Sequence, residues 1–266
     1  MKNEILEKYR RAGEIAKEAR EHGMSLVREG ASVLEIAEEA EDLIRRRGAK
    51  PAFPVNVAID SVAAHFTPQS DDRTKLERGS VVKIDVGVHV DGYIGDTAAT
   101  MEVGTRNWSR LIDASETALD IAIELIKPNA PVRMIGGAIE RTIEQSGFKP
   151  ISNLTGHNLE RFSLHSGKSI PNVLEDTSAR ILFGEALAIE PFATNGAGRV
   201  DGRKSGNIYR LLKMGDAKKA KANELLAYIR KEFNTLPFAE RWCTRFDKKA
   251  PSYLQRLLRR RFVQTY

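Results

Sequence analysis

The sequence predicts an α+β chain of two related halves, each a helix followed by a strand, with a helical segment inserted late in the chain. Three observations carry this. A weak repeat recurs at an offset of 99 residues, an apolar hairpin lies between its two copies, and the composition turns basic past Ser205.

The repeat fixes the first elements. Ala31, Val33, Ile36, Ile44, Gly48, Lys50 and Pro51 align with Ala130, Val132, Ile135, Ile143, Gly147, Lys149 and Pro150. Each copy reads as an amphipathic helix stopped by a glycine, then a strand after Lys-Pro. Ser32 with Glu35 makes a capping box for the first copy, and Pro131 opens the second at its first turn. Such units suggest a pseudo-twofold domain with a site between its halves. A chance likeness between two ordinary helices is the competing explanation.

The hairpin runs from Val81 to Val90 and returns from Tyr93, with Asp91-Gly92 as a two-residue turn. Val90 then faces Tyr93 and Asp85 faces Ala98. Asp96 stands two residues from Ala98, so Asp85 and Asp96 share one face as diagonal neighbours roughly 5–8 Å apart. Carboxylates are costly in so apolar a strand, and two this close repel unless a cation lies between them. The pair points to a shared metal site. A turn cap or a lysine partner is the plain alternative for either residue, and a one-residue bulge would send them to opposite faces.

Further ligands are expected among histidines and acids. The chain has five histidines. His22 sits on a charged N-terminal helix and reads as solvated; His89 shares the face of Asp85 but lies near the turn. His65, in Ala-Ala-His-Phe-Thr-Pro, and His157 and His165, in Gly-His-Asn-Leu-Glu-Arg-Phe-Ser-Leu-His-Ser-Gly-Lys, occupy less ordinary surroundings. Glu190 ends an apolar run immediately before Pro191, a place packing explains poorly. Each alone also fits a satisfied core or loop residue.

The last segment predicts helices. Asp216 is placed to cap one running to Phe233, with Leu225, Leu226, Ile229 and Phe233 on its inner face. Pro237 and Pro251 punctuate, and Leu254, Leu257, Leu258 and Phe262 mark another. From Ser205 onward there are 15 Lys/Arg against 5 Asp/Glu, while the preceding residues hold 27 against 31. The basic groups Lys218, Lys219, Lys221, Arg259, Arg260 and Arg261 read as a solvated face, or as one steered toward ribosomal RNA.

Composition sets the class. At 266 residues, 41% apolar and 29% charged, the chain suits one soluble domain with an insertion. Cys243 is the one cysteine, which excludes an internal disulfide and fits a reducing compartment. The charged N-terminus lacks a signal core and no run has membrane-spanning length, so a cytoplasmic location is expected.

Together the motifs around His65, Asp85-Val-Gly with Gly-Asp96-Thr-Ala, His157 to Lys168, and Ala-Ile-Glu190-Pro-Phe-Ala-Thr resemble type II methionine aminopeptidases of the pita-bread metallopeptidase superfamily. The resemblance runs the length of the chain, in order. It implies a pita-bread fold over residues 1–204 and a helical insertion over 205–262, characteristic of type II, with the pita-bread domain resuming about 263–266. It also implies that Asp85, Asp96, His157 and Glu190 hold two divalent ions (Co, Mn, Fe or Zn), which activate a water against the first peptide bond. One ion would take the free α-amino group. Glu190 would shuttle the proton, His165 would meet the scissile carbonyl, His65 the amide or second residue, and Phe53 the methionine side chain. The expected partners are N-terminal Met peptides and nascent chains, with the ribosome as a further one, no membrane, and a monomeric state.

One departure stands out. The family carries a fifth ligand, a bridging glutamate, on a strand beyond the last helix, and no residue here takes that role. The chain therefore reads as a fragment of a longer product or a genuine truncation, the fragment being favoured because a truncation would leave an unpaired sheet edge. Little or no activity is expected of it as it stands. Two other readings follow from the same fold. One is a proline-specific aminopeptidase or prolidase; the other is a catalytically silent pita-bread protein that binds ribosomes or RNA.

Overall fold

The computed structural model describes residues 1–202 and 206–266, so the expected boundary at 204/205 lies outside the described residues. The first half contains helices α1 (Asn3–Ser25) and α2 (Val33–Arg46) and strands β1 (Lys50–Pro51), β2 (Asn56–Ile59), β3 (Val81–Val90) and β4 (Tyr93–Glu102). β3 is the spine of its sheet: β4 pairs with it on one side, β1 and β2 on the other, all antiparallel. The hairpin register is the expected one, with Val90 opposite Tyr93 and Asp85 opposite Ala98. Asp91 and Gly92 both take positive φ, as a type I′ turn requires. α1 lays an alanine-rich stripe, Ala12, Ala16 and Ala19, against this sheet. Its approach is so close that a Cβ on Gly95 would fall 2.5 Å from the Gly13 nitrogen.

The second half contains α3 (Ser109–Leu125), α4 (Val132–Gln145) and strands β5 (Lys149–Pro150), β6 (Thr155–Leu159), β7 (Ser169–Pro171), β8 (Ala186–Ala188) and β9 (Ala193–Thr194). The repeat shows in the architecture: α4 and β5 stand in the sequence positions of α2 and β1, shifted by the same offset. Gly48 and Gly147 close the two helices at φ +76° and +86°. The start signals differ in detail. Ser32 accepts the Glu35 amide at 3.3 Å, as a capping residue should. Pro131 takes the N-cap position, one residue before the first turn where it was expected. β6 is the middle strand of β7-β6-β8, and β5 pairs with β9.

The final unit comprises β10 (Ile208–Leu211), α5 (Ala220–Phe233), β11 (Phe238–Ala239), α6 (Glu240–Cys243), α7 (Ala250–Arg259) and β12 (Val263–Thr265). The helices are present, and a small antiparallel sheet ordered β11-β10-β12 accompanies them. Its core is separate, built on Leu225, Leu226, Ile229, Phe238, Trp242, Leu254 and Leu257. Asp216 does not cap α5. The helix begins after Lys219, and Asp216 instead accepts the Lys218 amide at 2.8 Å and the Asn223 side-chain amide at 2.9 Å. No helix among the described residues is long and apolar enough to cross a membrane.

Candidate metal centre and substrate cavity

The two halves and the final unit meet at a cavity of about 190 Å³. β3 and β4 contribute Asp85 and Asp96, β6 contributes His157, and the chain leaving β8 contributes Glu190. His65 and His165 come from loops, Phe53 from the turn between β1 and β2, and Tyr266 follows β12. All eight line the same space, so every residue singled out in the sequence for the site is brought to it. His22 and His89 are not. His22 faces Glu39 on the surface at 3.4 Å, and His89 packs on the Phe162 ring at 5.5 Å while its Nδ1 accepts the Gly92 amide.

Alternation along the hairpin explains how two acids reach one face. Gly87 lies directly across from Asp96 on that face and has no side chain to occupy the space. Phe53 fills it: a Cβ on Gly87 would stand 2.1 Å from the Phe53 ring. The ring thus lines the cavity on the face of the hairpin that carries the two carboxylates. Asn56 is opposite Asp85 on β2, and its side-chain amide donates to Asp85 Oδ2 at 2.9 Å. Sequence reading missed Asn56, because only the β2–β3 register places it there.

The arrangement is short of positive charge. Ligand atoms of Asp96, His157 and Glu190 all lie within 4.8 Å of one another. His157 Nε2 stands 3.0 Å from Glu190 Oε1 and 3.8 Å from Asp96 Oδ2. Burial, followed by repulsion from Glu190, pushes the Asp85 carboxyl up to about 7. Burial, then Asp85 and Glu190, raises Asp96 well above the carboxylate range. Among the described residues no Lys or Arg lines the cavity. His157 Nδ1 and Asn56 Oδ1 are buried without a hydrogen-bond partner among the described residues, and Glu190 Oε1 has the approach of His157 Nε2 but no well-formed hydrogen bond. Buried polar groups are ordinarily satisfied, and crowded carboxylates ordinarily protonate or bind cations. Asp96, His157 and Glu190 form a donor set of two carboxylates and one imidazole that a divalent ion could occupy, while Asp85 lines the same cavity outside that group.

The remaining groups form the other wall. The His157 and His165 rings meet edge to face with centroids 4.0 Å apart. The Tyr266 hydroxyl lies 3.1 Å from His165 Nδ1, and its ring lies edge-on to His65 at 5.4 Å. Burial, then His157, His65 and Arg210, holds the His165 imidazole at about 4. His65 is also pushed below the ordinary histidine value by burial, against the pull of Glu190. Both rings are therefore neutral near pH 7 and can each donate one N–H and accept one hydrogen bond. Tyr266 carries no motif and escaped sequence reading.

The profile of metallopeptidase family M24 matches residues 7–214. A methionine aminopeptidase of Pyrococcus horikoshii is 46% identical over 232 residues, which are 87% of this chain and 78% of that protein. Among solved structures, a thermophilic Arx1 superposes with a TM-score of 0.83 at 18% identity, covering 100% of this chain and 84% of that one. At that identity the likeness speaks for the fold. A methionine aminopeptidase of Thermotoga maritima superposes with a TM-score of 0.71 at 26% identity, covering 76% of this chain and 84% of that one.

Proposed function

Since the chain belongs to metallopeptidase family M24, with the pita-bread fold of that family, we propose that it removes the N-terminal methionine from proteins by metal-assisted hydrolysis of the first peptide bond. One observation carries the reading: a neutral histidine pair and an aromatic wall border a cavity whose other side is an uncompensated set of acids and one imidazole.

In this proposal Asp85, Asp96, His157 and Glu190 hold two divalent ions. Such ions, when bound, would lower the pKa of water and so supply a nucleophile near neutral pH. The protein's own groups do the rest. Glu190 keeps 32% of its side chain exposed, enough to pass a proton from the attacking water to the leaving amine. His165, neutral and steadied by Tyr266, donates its N–H toward the scissile carbonyl, where negative charge develops. His65 meets the amide or the second residue. Phe53 offers a flat apolar surface for the methionine side chain. Residues 205–262 serve as the type II insertion, and a cytoplasmic site of action follows from the substrate.

The basic face of the final unit extends the reading toward the source of new chains. Lys219 lies over the Tyr253 ring at 5.5 Å and Arg256 donates to the Ala217 carbonyl, which brings the start of α5 beside α7. Lys218 pairs with Asp216 and Lys221 with Glu224, so part of this charge is neutralised. Salt-sensitive sedimentation with ribosomes is expected of this face; binding that ignores salt argues against an electrostatic attachment.

The main reading is tested by calorimetric peptide binding in the presence of Mn or Co. Met-Ala-Ser should bind only when metal is supplied, and N-acetyl-Met-Ala-Ser and Ala-Pro peptides should bind at least tenfold more weakly. Preference for Ala-Pro, or indifference to the acetyl block, overturns the proposal.

A further inference from the structure

The loop that carries His65 is held from behind by a buried polar cluster to which the final unit contributes. Glu41 on α2 is 1% exposed and Arg241 on α6 is 5% exposed, and the two side chains pair directly. The Glu41 carboxylate also accepts the Trp242 indole N–H at 2.6 Å and the Val55 amide at 3.2 Å. Arg241 turns its other nitrogen to the His65 loop, donating to Thr67 Oγ1 at 2.7 Å and to the Pro68 carbonyl at 2.9 Å. Thr67 in turn donates its hydroxyl to the Val55 carbonyl at 2.9 Å. The final unit grips the loop a second time. The Thr67 amide donates to the Gly206 carbonyl at 3.0 Å, and the Asn207 side chain donates to the Thr67 carbonyl at 3.0 Å. A Cβ on Gly206 would fall 1.5 Å from the His65 carbonyl oxygen, so the two backbones are in close contact.

Two features show that this cluster does more than fill space. Burying an ion pair is a poor way to gain stability, because desolvation offsets much of the attraction. His65 itself holds φ at +58°, a backbone state that a histidine keeps only when its surroundings over-determine it. Neither Glu41 nor Arg241 lines the cavity, so neither touches substrate. We infer that Arg241, anchored by Glu41, is a positioning residue that fixes the His65 imidazole through Thr67 and Pro68, and that the final unit thereby takes part in assembling the peptide-binding wall. This rests on the role proposed for His65 in holding the peptide.

The test has two readouts. Hydrogen exchange of the segment 63–68 reports the clamp whether or not peptide binds. Thr67→Val, which keeps shape and loses the hydroxyl, and the charge-balanced pair Glu41→Gln with Arg241→Met should each speed exchange of that segment at least tenfold. The β3–β4 hairpin should be unchanged, and Thr67→Ser should restore protection. Unaltered exchange in the loop, or equal loosening everywhere, overturns the inference. Peptide affinity then tells whether the effect passes through His65. Thr67→Val should weaken Met-Ala-Ser binding about tenfold in the native background and have no further effect on His65→Ala. Additive losses overturn it. If His65→Ala binds peptide like the native protein, the role assigned to His65 falls, and the inference falls with it.

Discussion

At the scale of single residues, the site is distinguished by what its charged groups lack. Among the described residues Asp85 and Asp96 have no lysine or arginine beside them in the cavity, and His157 is the one imidazole that reaches both Asp96 and Glu190. Replacing His157 by Ala should lower the metal stoichiometry seen in calorimetric titration while leaving far-ultraviolet dichroism unchanged; native stoichiometry in that variant removes His157 from the ligand set. His165→Ala should leave metal content intact and weaken peptide binding at least tenfold, and parallel losses in both would count against a substrate role. His89 is a contrasting case, a histidine near the acids in sequence that serves the fold instead. It is 7% exposed, and burial followed by the Lys50 charge holds it at about 4 against an ordinary 6.5. Below pH 6.5 the unfolded chain takes up a proton that the folded one refuses. Stability is therefore lost as pH falls through that window, by up to about 3 kcal/mol at its lower end. Protonated Nδ1 could no longer accept the Gly92 amide. Urea titrations from pH 7 to pH 4.5 should show a smaller decline for His89→Gln than for the native chain, and equal declines would assign the effect elsewhere.

At the scale of elements, the hairpin shows why part of the site could be read in advance. A two-residue turn and a strict period of two fix register without knowledge of the rest of the fold, so Asp85 and Asp96 could be placed on one face from sequence alone. The helix–strand repeat was legible for the same reason, since its signals are local. What escaped was non-local or too short to leave a pattern. Asn56 matters only through its pairing with Asp85, and the strands of the last sheet span four, two and three residues. Asp216 misled because a helix-capping residue and a turn residue look alike in sequence, and Asn223 draws it into a turn before α5. Gly87 tests the packing that shapes the cavity wall. A side chain there must displace Phe53 or bend β3, so Gly87→Val should cost roughly 1–3 kcal/mol of unfolding free energy. Adding Phe53→Ala should recover part of that loss instead of adding its own in full. Simple additivity would mean that the ring is free to move aside.

At the scale of the whole molecule, the charge asymmetry of the chain raises the question of what joins its basic end to its acidic body. Exposed pairs span the junction, Lys50 with Glu232 at 3.2 Å and Arg245 with Asp42 at 3.7 Å, and pairs of that kind contribute little and are screened by salt. The buried Glu41–Arg241 contact lies beyond the reach of mobile ions. If the surface pairs governed the junction, raising salt would loosen it; if the buried one does, salt would matter little and a single truncation would matter a great deal. We expect the second. In a Trp108→Phe background, urea unfolding monitored by the indole fluorescence of Trp242, which packs in the final unit against Glu41, should shift by less than about 1 kcal/mol between low and moderate salt. Arg241→Met leaves the buried Glu41 only the half-buried Arg45, 3.4 Å away, as a charge partner and should lower stability by up to about 3 kcal/mol at either salt concentration. Pairing that change with Glu41→Gln removes the stranded charge and should return part of the loss. A strong dependence on salt in the native protein, or an Arg241→Met variant of native stability, would show that the two parts are held by their surfaces and not by the cluster behind the His65 loop.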